Sequence, residues 1–171
     1  GRAGDGGFTV WYGVPGTGKT CAAWLLCQLA SDRSGPRAVY LDAPRPTGIL
    51  WDERKAIRAL IAEPGTPLSD RAIRSRFGID LIRHLASRLL AAGIRILVVD
   101  EAGYLGIKGL EALGMLSDHL VQQAEPFHIV LVGMTDLPAL LRTNPRVHAR
   151  VIAHEHVSGV SPEALEAVVL R

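Results

Sequence analysis

"FTVWYGVPGTGKT", Phe8 to Thr20, runs from a short β-rich segment into a glycine-rich loop and contains the pattern G-x-x-x-x-G-K-T over Gly13–Thr20. A strand, such a loop and then a helix bring successive backbone N–H groups and a helix N-terminus to bear on one small volume, and that volume favours an anion. Lys19 adds a point charge, and the Thr20 hydroxyl lies where it can reach Mg²⁺. The stretch therefore predicts that Gly13, Val14, Pro15, Gly16, Thr17, Gly18, Lys19, Thr20 and Cys21 wrap the phosphates of a nucleotide. A chance glycine-rich turn would not explain both the strand before it and the helix after it.

Outward from this loop, strand and helix signals alternate, and that order predicts an α/β fold, a five-stranded parallel sheet sandwiched by helices. "FTVWY" (8–12) is the first strand, "TCAAWLLCQLA" (20–30) has the composition of a buried helix, and "RAVYLD" (37–42) is the second strand after the turn-forming "SDRSGP". Residues 49–62 and 68–92 read as helical. In the latter, Leu81, Ile82, Leu85, Ala86, Leu89 and Leu90 recur at helical spacing, and Gly93 is placed to end the helix. "IRILVVD" (94–100) is a near-continuous β-branched and Leu run, as expected of a strand buried on both faces. A helix over 110–123, a strand "HIVLVGM" (128–134) and a fifth strand "VIAHEHV" (151–157) follow. "SPEALEAVVLR" (161–171) opens a further helix, with Ser161 as N-cap and Pro162 in its first turn.

The 171 residues, 48% hydrophobic and 21% charged, suffice for one substantial core. A formal net charge of +2 does not point to nucleic acid by itself, although it is built from sixteen Arg and only three Lys. Cys21 and Cys27 both fall on the apolar helix after the loop, which argues against a disulfide framework and for a reducing cytoplasm. No apolar run is long enough to span a bilayer, and no signal segment is visible. The chain does not begin with Met and reads as a fragment.

The second chemical element is "ILVVDEAGYL", in which Asp100 and Glu101 end the buried strand. Ligands of open α/β sheets sit beyond the C-terminal ends of the strands, so Asp100 is placed to hold Mg²⁺ together with Thr20. Glu101 can polarise a water for attack on a γ-phosphate, a role that a kinase for a small substrate does not need. The alternative for Glu101 is a cap on the following turn. The pair favours hydrolysis over phosphoryl transfer to a metabolite.

"YGVPGTGKT", "LVVDEAGYL" and "IVLVGMTDLPALL", in this order and at these separations, resemble the Walker A, Walker B and sensor-1 segments of the AAA+ ATPase core. Within that superfamily, "DEAGYL…GLEALGMLSDHL" and "LVGMTDLPALL" are similar to the transposition regulators typified by the phage Mu B protein and its Tn7-like relatives. They are also similar to type II secretion ATPases and, more distantly, to origin-recognition initiators. The resemblance implies ATP and ADP as ligands with Mg²⁺, and self-association into a ring or filament. It further implies Lys19, Asp100 and Glu101 as catalytic residues, and Thr135 or Asp136 at the sensor position. That position often carries Asn, so Asp136 departs from the pattern and Thr135 is the choice. "NPRVHARV" resembles the segment that carries an arginine finger, which implies Arg150 first and Arg146 second. By the same likeness residues 1–157 form the nucleotide-binding core, and "VSGVSPEAL" crosses into a helical lid that begins over 158–171 and is largely missing.

Other features carry less. His154 and His156 flank Glu155 on one strand face with no third ligand near in sequence, and read as structural. "DRAIRSRFGIDLIRH" (70–84) could follow a phosphate backbone, but Arg83 and His84 fall on the polar side of an amphipathic helix, a solvated face. Lys108, in "GYLGIKG", is a candidate for DNA contact by the likeness to transposition regulators. Trp11 and Trp24 read as core residues, and with Trp51 they form no stacking platform. Three classes follow. The first is an ATP-dependent regulator that oligomerises on double-stranded DNA, with a transposase or another protein as partner. The second is a AAA+ ATPase acting on a protein or cell-envelope component without DNA, and the third is a P-loop kinase.

Overall fold

The computed structural model describes residues 6–31, 37–43, 45, 79–123 and 126–159. The helix expected over 49–62, the first part of that expected over 68–92, Trp51 and the lid segment from residue 160 on lie outside the described residues.

β1 (Gly7–Tyr12) leads through the loop into α1 (Lys19–Ser31), and β2 (Arg37–Asp42) follows. α2 (Ile79–Ala91), β3 (Ile94–Asp100), a short 3₁₀ turn (Ala102–Leu105) and α3 (Gly106–Gln122) come next. β4 (His128–Gly133), the short helices α4 (Leu137–Arg142) and α5 (Pro145–His148), and β5 (Val151–His156) complete the described chain. The five strands pair in the order β2-β3-β4-β1-β5, every pair parallel, as the alternation of elements predicts.

The strands carry two differently built faces. Along β3, Leu97 and Val99 join the core with Val10, Ile129 and Leu131, against α2 (Leu81, Ile82, Leu85, Leu89) and α3 (Leu110, Leu113, Leu116, Leu120). Val98, between them, points to the other face with Val130, Val132, Ala23 and Cys27. This two-sided burial is what the near-continuous apolar run of β3 encodes. α2 turns its Leu-Ile stripe inward as its spacing requires, and Gly93, at φ 72°, follows its last turn.

Two expectations need correction. α1 is not a buried helix: Ala23 and Cys27 meet the sheet, while Trp24 is 56% exposed, as are Leu25 and Leu29 to a similar degree. Composition without periodicity cannot say how many faces are covered, and here one is. Only Trp11 of the two residues packs against the core as expected. α3 begins at Gly106, four residues before the expected start, so Lys108 lies in a helical first turn and not in a loop. Glycine is a poor helix former, by about 1 kcal/mol against Ala, and so reads as loop. Gly109 and Gly114 are nevertheless buried on α3, where a small residue permits close packing.

Candidate nucleotide site and a second charged edge

Because all strands are parallel, their C-terminal ends share one edge of the sheet, and the loop leaves β1 there. Gly13 is held tightly: a Cβ on it would lie 2.3 Å from the Val157 carbonyl oxygen, where the chain leaves β5. Gly16 and Gly18 have room for a side chain but stand at φ 81° and 85°, a backbone that L-residues avoid. Thr17, 9% exposed, donates its hydroxyl to the Val14 carbonyl at 3.0 Å. Lys19 Nζ donates to the carbonyls of Gly13 (3.0 Å) and Val14 (2.7 Å) and to Thr17 Oγ1 (3.2 Å). The ammonium thus lies across its own loop. Thr20 and Cys21 are exposed in the first turn of α1, while burial of Cys27 two turns on pushes its thiol up to about 11.

Asp100 ends β3 at the same edge and is 3% exposed. Its Oδ2 accepts from the Tyr40 hydroxyl at 2.8 Å, and its Oδ1 from the Glu101 backbone N–H at 2.8 Å. Burial first, and then the neighbouring carboxylate, raises the Tyr40 phenol well above its ordinary range, so it stays a donor. Sequence reasoning missed Tyr40. Its contact crosses from β2 to β3, sixty positions away, and no local spacing signals it.

Glu101 is the non-glycine residue with positive φ among those described, at φ 51°, ψ 37°. The conformation costs an L-residue roughly 1 to 2 kcal/mol, and such outliers gather at functional sites. It precedes the 3₁₀ turn but makes no side-chain cap there, so the capping role fails. Its half-exposed carboxylate has no hydrogen-bond or ion-pair partner among the described residues. Arg45 stands at this edge too, 5.5 Å from the centroid of the Tyr104 ring.

β4 runs between β1 and β3, so the residues following it emerge between the loop and the Asp100–Glu101 pair. These are Met134, Thr135 and Asp136, all exposed; the Asp136 backbone begins α4 without a side-chain cap. Lys19, Thr20, Asp100, Glu101 and Thr135 are therefore gathered at one edge. Lys108 starts α3 at that edge, paired with Glu111 at 2.9 Å. His154 and His156 are exposed on β5, their rings 6.5 and 5.3 Å from that of Tyr12. Arg83 is exposed on α2, 3.6 Å from Asp80, as on a solvated helix face.

Arg150 and Arg146 are elsewhere. The Arg150 carbonyl accepts from Phe8 N–H at 2.9 Å, at the start of β1, whereas the loop leaves its end. Six strand residues at about 3.3 Å each put roughly 20 Å between them, further than an arginine side chain reaches. The segment "NPRVHAR" folds as a capped turn: Asn144, 4% exposed, accepts from Val147 N–H at 3.3 Å, and Pro145 occupies the first helical position. Arg146 and Arg150 both reach Asp118 of α3, and Arg150 also donates to the Arg146 carbonyl.

The loop edge fits a magnesium nucleotide. Asp100 spends one acceptor site of each oxygen on protein donors and keeps others, Thr20 offers a hydroxyl, and the loop leaves open space at Gly16 and Gly18, where nothing lies within 4 Å of an added Cβ.

Comparison with known proteins agrees. The chain belongs to the AAA domain family, whose model matches residues 2–141, and it is a AAA+ P-loop ATPase domain of nucleotide-binding type. No curated protein matches it at a significant level. The Aeropyrum pernix ORC2 protein in ADPNP-ADP complexes is similar with a TM-score of 0.68 at 17% identity, over 98% of this chain and 46% of that one. The A. pernix ORC1 protein in complex with DNA gives 0.61 at 20% identity, over 96% and 42%. Drosophila ORC bound to DNA gives 0.63 at 14%, over 95% and 40%. These likenesses show the shared fold, and the chain spans less than half the length of each structure. Among the described residues no helix is long and apolar enough to cross a membrane.

Proposed function

We propose that this chain hydrolyses ATP as an assembly of copies that acts on double-stranded DNA. The observation that carries the reading is the gathering of Lys19, buried Asp100 and Glu101, whose carboxylate has no partner among the described residues, at one sheet edge, with a cation pair at the other. Residues Gly13 to Cys21 hold the phosphates, and Thr20 and Asp100 would hold Mg²⁺, whose chemistry there is to neutralise charge on the phosphate oxygens. Glu101 orients and deprotonates the attacking water, and its strained backbone keeps the carboxylate clear of the turn it precedes. Thr135, emerging between loop and Glu101, contacts the γ-phosphate. The transition state needs a further cation, and Arg150, with Arg146 as second candidate, supplies it to a neighbouring copy.

DNA as partner is supported by likeness to solved structures described as DNA complexes. The transposition-regulator branch, with a transposase as partner, rests on the sequence likeness of "DEAGYL…GLEALGMLSDHL" and "LVGMTDLPALL". ATP turnover measured with and without duplex DNA, alongside electron microscopy with a non-hydrolysable ATP analogue, tests the reading. DNA-stimulated turnover and DNA-dependent rings or filaments are expected. Turnover indifferent to DNA, with no DNA bound, would move the partner to a protein or cell-envelope component. Phosphorylation of a small acceptor without net hydrolysis would make it a kinase.

A further inference from the structure

The two arginines at the far edge share one carboxylate. Asp118 sits on α3 one turn after Gly114, on the same helix face. A Cβ on Gly114 would come within 3.0 Å of the Arg146 side-chain carbons, so the missing side chain is what lets the Arg146 stem lie against α3. From there Arg146 Nε lies 3.7 Å from Asp118 Oδ2, and Arg146 is 50% exposed. Arg150 is held more closely. One terminal nitrogen pairs with Asp118 Oδ1, the other donates to the Arg146 carbonyl, and its exposure is 30%. A guanidinium carries five N–H donors in a rigid plane. Two contacts on two terminal nitrogens therefore fix the plane and leave donors over. Arg150 lines an open cleft of about 730 Å³ between α3 and the start of β5, together with Asp118, Val121 and Ile152.

Charge accounting points the same way. Two guanidiniums and one carboxylate leave the cluster with one positive charge in excess, so an anion arriving in the cleft needs no cation to leave Asp118. A free arginine has many rotamers, and ordering it at the moment of reaction is costly. Held between Asp118 and a backbone carbonyl, Arg150 is ordered beforehand.

We propose that Asp118 is a positioning residue: it presents Arg150 in a fixed orientation to the triphosphate of a neighbouring copy, with Arg146 as its second counter-ion. This rests on the shared-site reading above. The test mixes inactive variants and measures ATP turnover of the mixtures. Asp118→Asn alone should lose on the order of 10²-fold in turnover, the usual scale for a misplaced catalytic group, with nucleotide affinity unchanged. Asp118→Glu should recover much of that loss. Mixed with Lys19→Ala, which keeps the arginine edge, Asp118→Asn should regain activity because its own loop is intact. Mixed with Arg150→Ala it should regain none, since both partners lack a working arginine. Asp118→Ser gives the same four readouts if the Asn variant does not fold. Parent-level turnover of a folded Asp118 variant, or equal recovery with both mixing partners, would overturn the proposal. Failure of the Lys19→Ala and Arg150→Ala mixture, in variants shown to co-assemble, would instead sink the shared-site reading itself.

Discussion

The two edges of the sheet are built on different principles. At the loop edge, most of the chemistry is local: Lys19 bonds to Gly13, Val14 and Thr17 within six residues, and Glu101 N–H caps the adjacent Asp100 carboxylate. At the opposite edge the charged cluster is assembled from α3, α5 and the residue that enters β5, elements brought together only by the fold. The loop edge gathers Lys19, Thr20, Asp100 and Glu101, and the far edge holds two guanidiniums on one carboxylate, Asp118, with one positive charge in excess. By the function proposed above, a single copy carries two complementary half-sites facing apart.

The sharpest way to break this comparison is to remove the far cation. Arg150→Ala should lower turnover of the assembled protein by roughly 10³ to 10⁵ and leave nucleotide affinity unchanged, as read by steady-state ATPase and equilibrium titration. Lys19→Ala, at the near edge, should lose the binding itself. If both variants lose affinity alike, the edges do not divide the labour. Next in size, Glu101→Gln should bind ATP normally and hydrolyse it about 10² to 10⁴ times more slowly; parent-rate hydrolysis would remove Glu101 from the chemistry.

A smaller effect probes a non-local side-chain contact of the loop edge. Tyr40→Phe deletes a donor to a buried carboxylate, and a hydrogen bond to a charged group contributes about 1.5 to 3 kcal/mol. Denaturant unfolding should show a loss of that order, and turnover should fall because Asp100 is no longer held on both oxygens. Unchanged stability would mean the contact contributes nothing. Smallest is the DNA effect. Lys108→Ala should reduce the slope of log affinity against log salt for duplex DNA in the ATP state by about one unit. A slope identical to the parent's would take Lys108 out of the interface.

What the sequence made legible follows from the same contrast. The loop, β3 and the end of β4 were readable because their information is short-range: glycine spacing, an apolar run, an acidic pair at a strand end. The arginine segment was singled out only through family likeness, and its partner Asp118 not at all. That residue is one acidic position on a helix until Arg146 and Arg150 are folded against it. Tyr40 was invisible for the same reason, being paired across strands. α1 misled because Trp24, Leu25 and Leu29 look like core in composition, while the sheet covers only the side bearing Ala23 and Cys27. The early start of α3 was hidden by Gly106, which stands at φ 58°, and by Gly109, which is buried on the helix.

The left-handed backbone at Glu101 has a consequence for anyone who would alter this protein. Glycine or asparagine suits that φ and ψ better than glutamate does. A stabilisation campaign guided by backbone fit would therefore choose position 101 early, and Glu101→Gly could gain roughly 1 to 2 kcal/mol in the folded domain. The gain would come with removal of a carboxylate that ends β3 beside Asp100 and that no other described residue holds. Selection for a tougher protein and selection for a working one pull in opposite directions at this residue, and only a screen that scores turnover alongside melting would keep it.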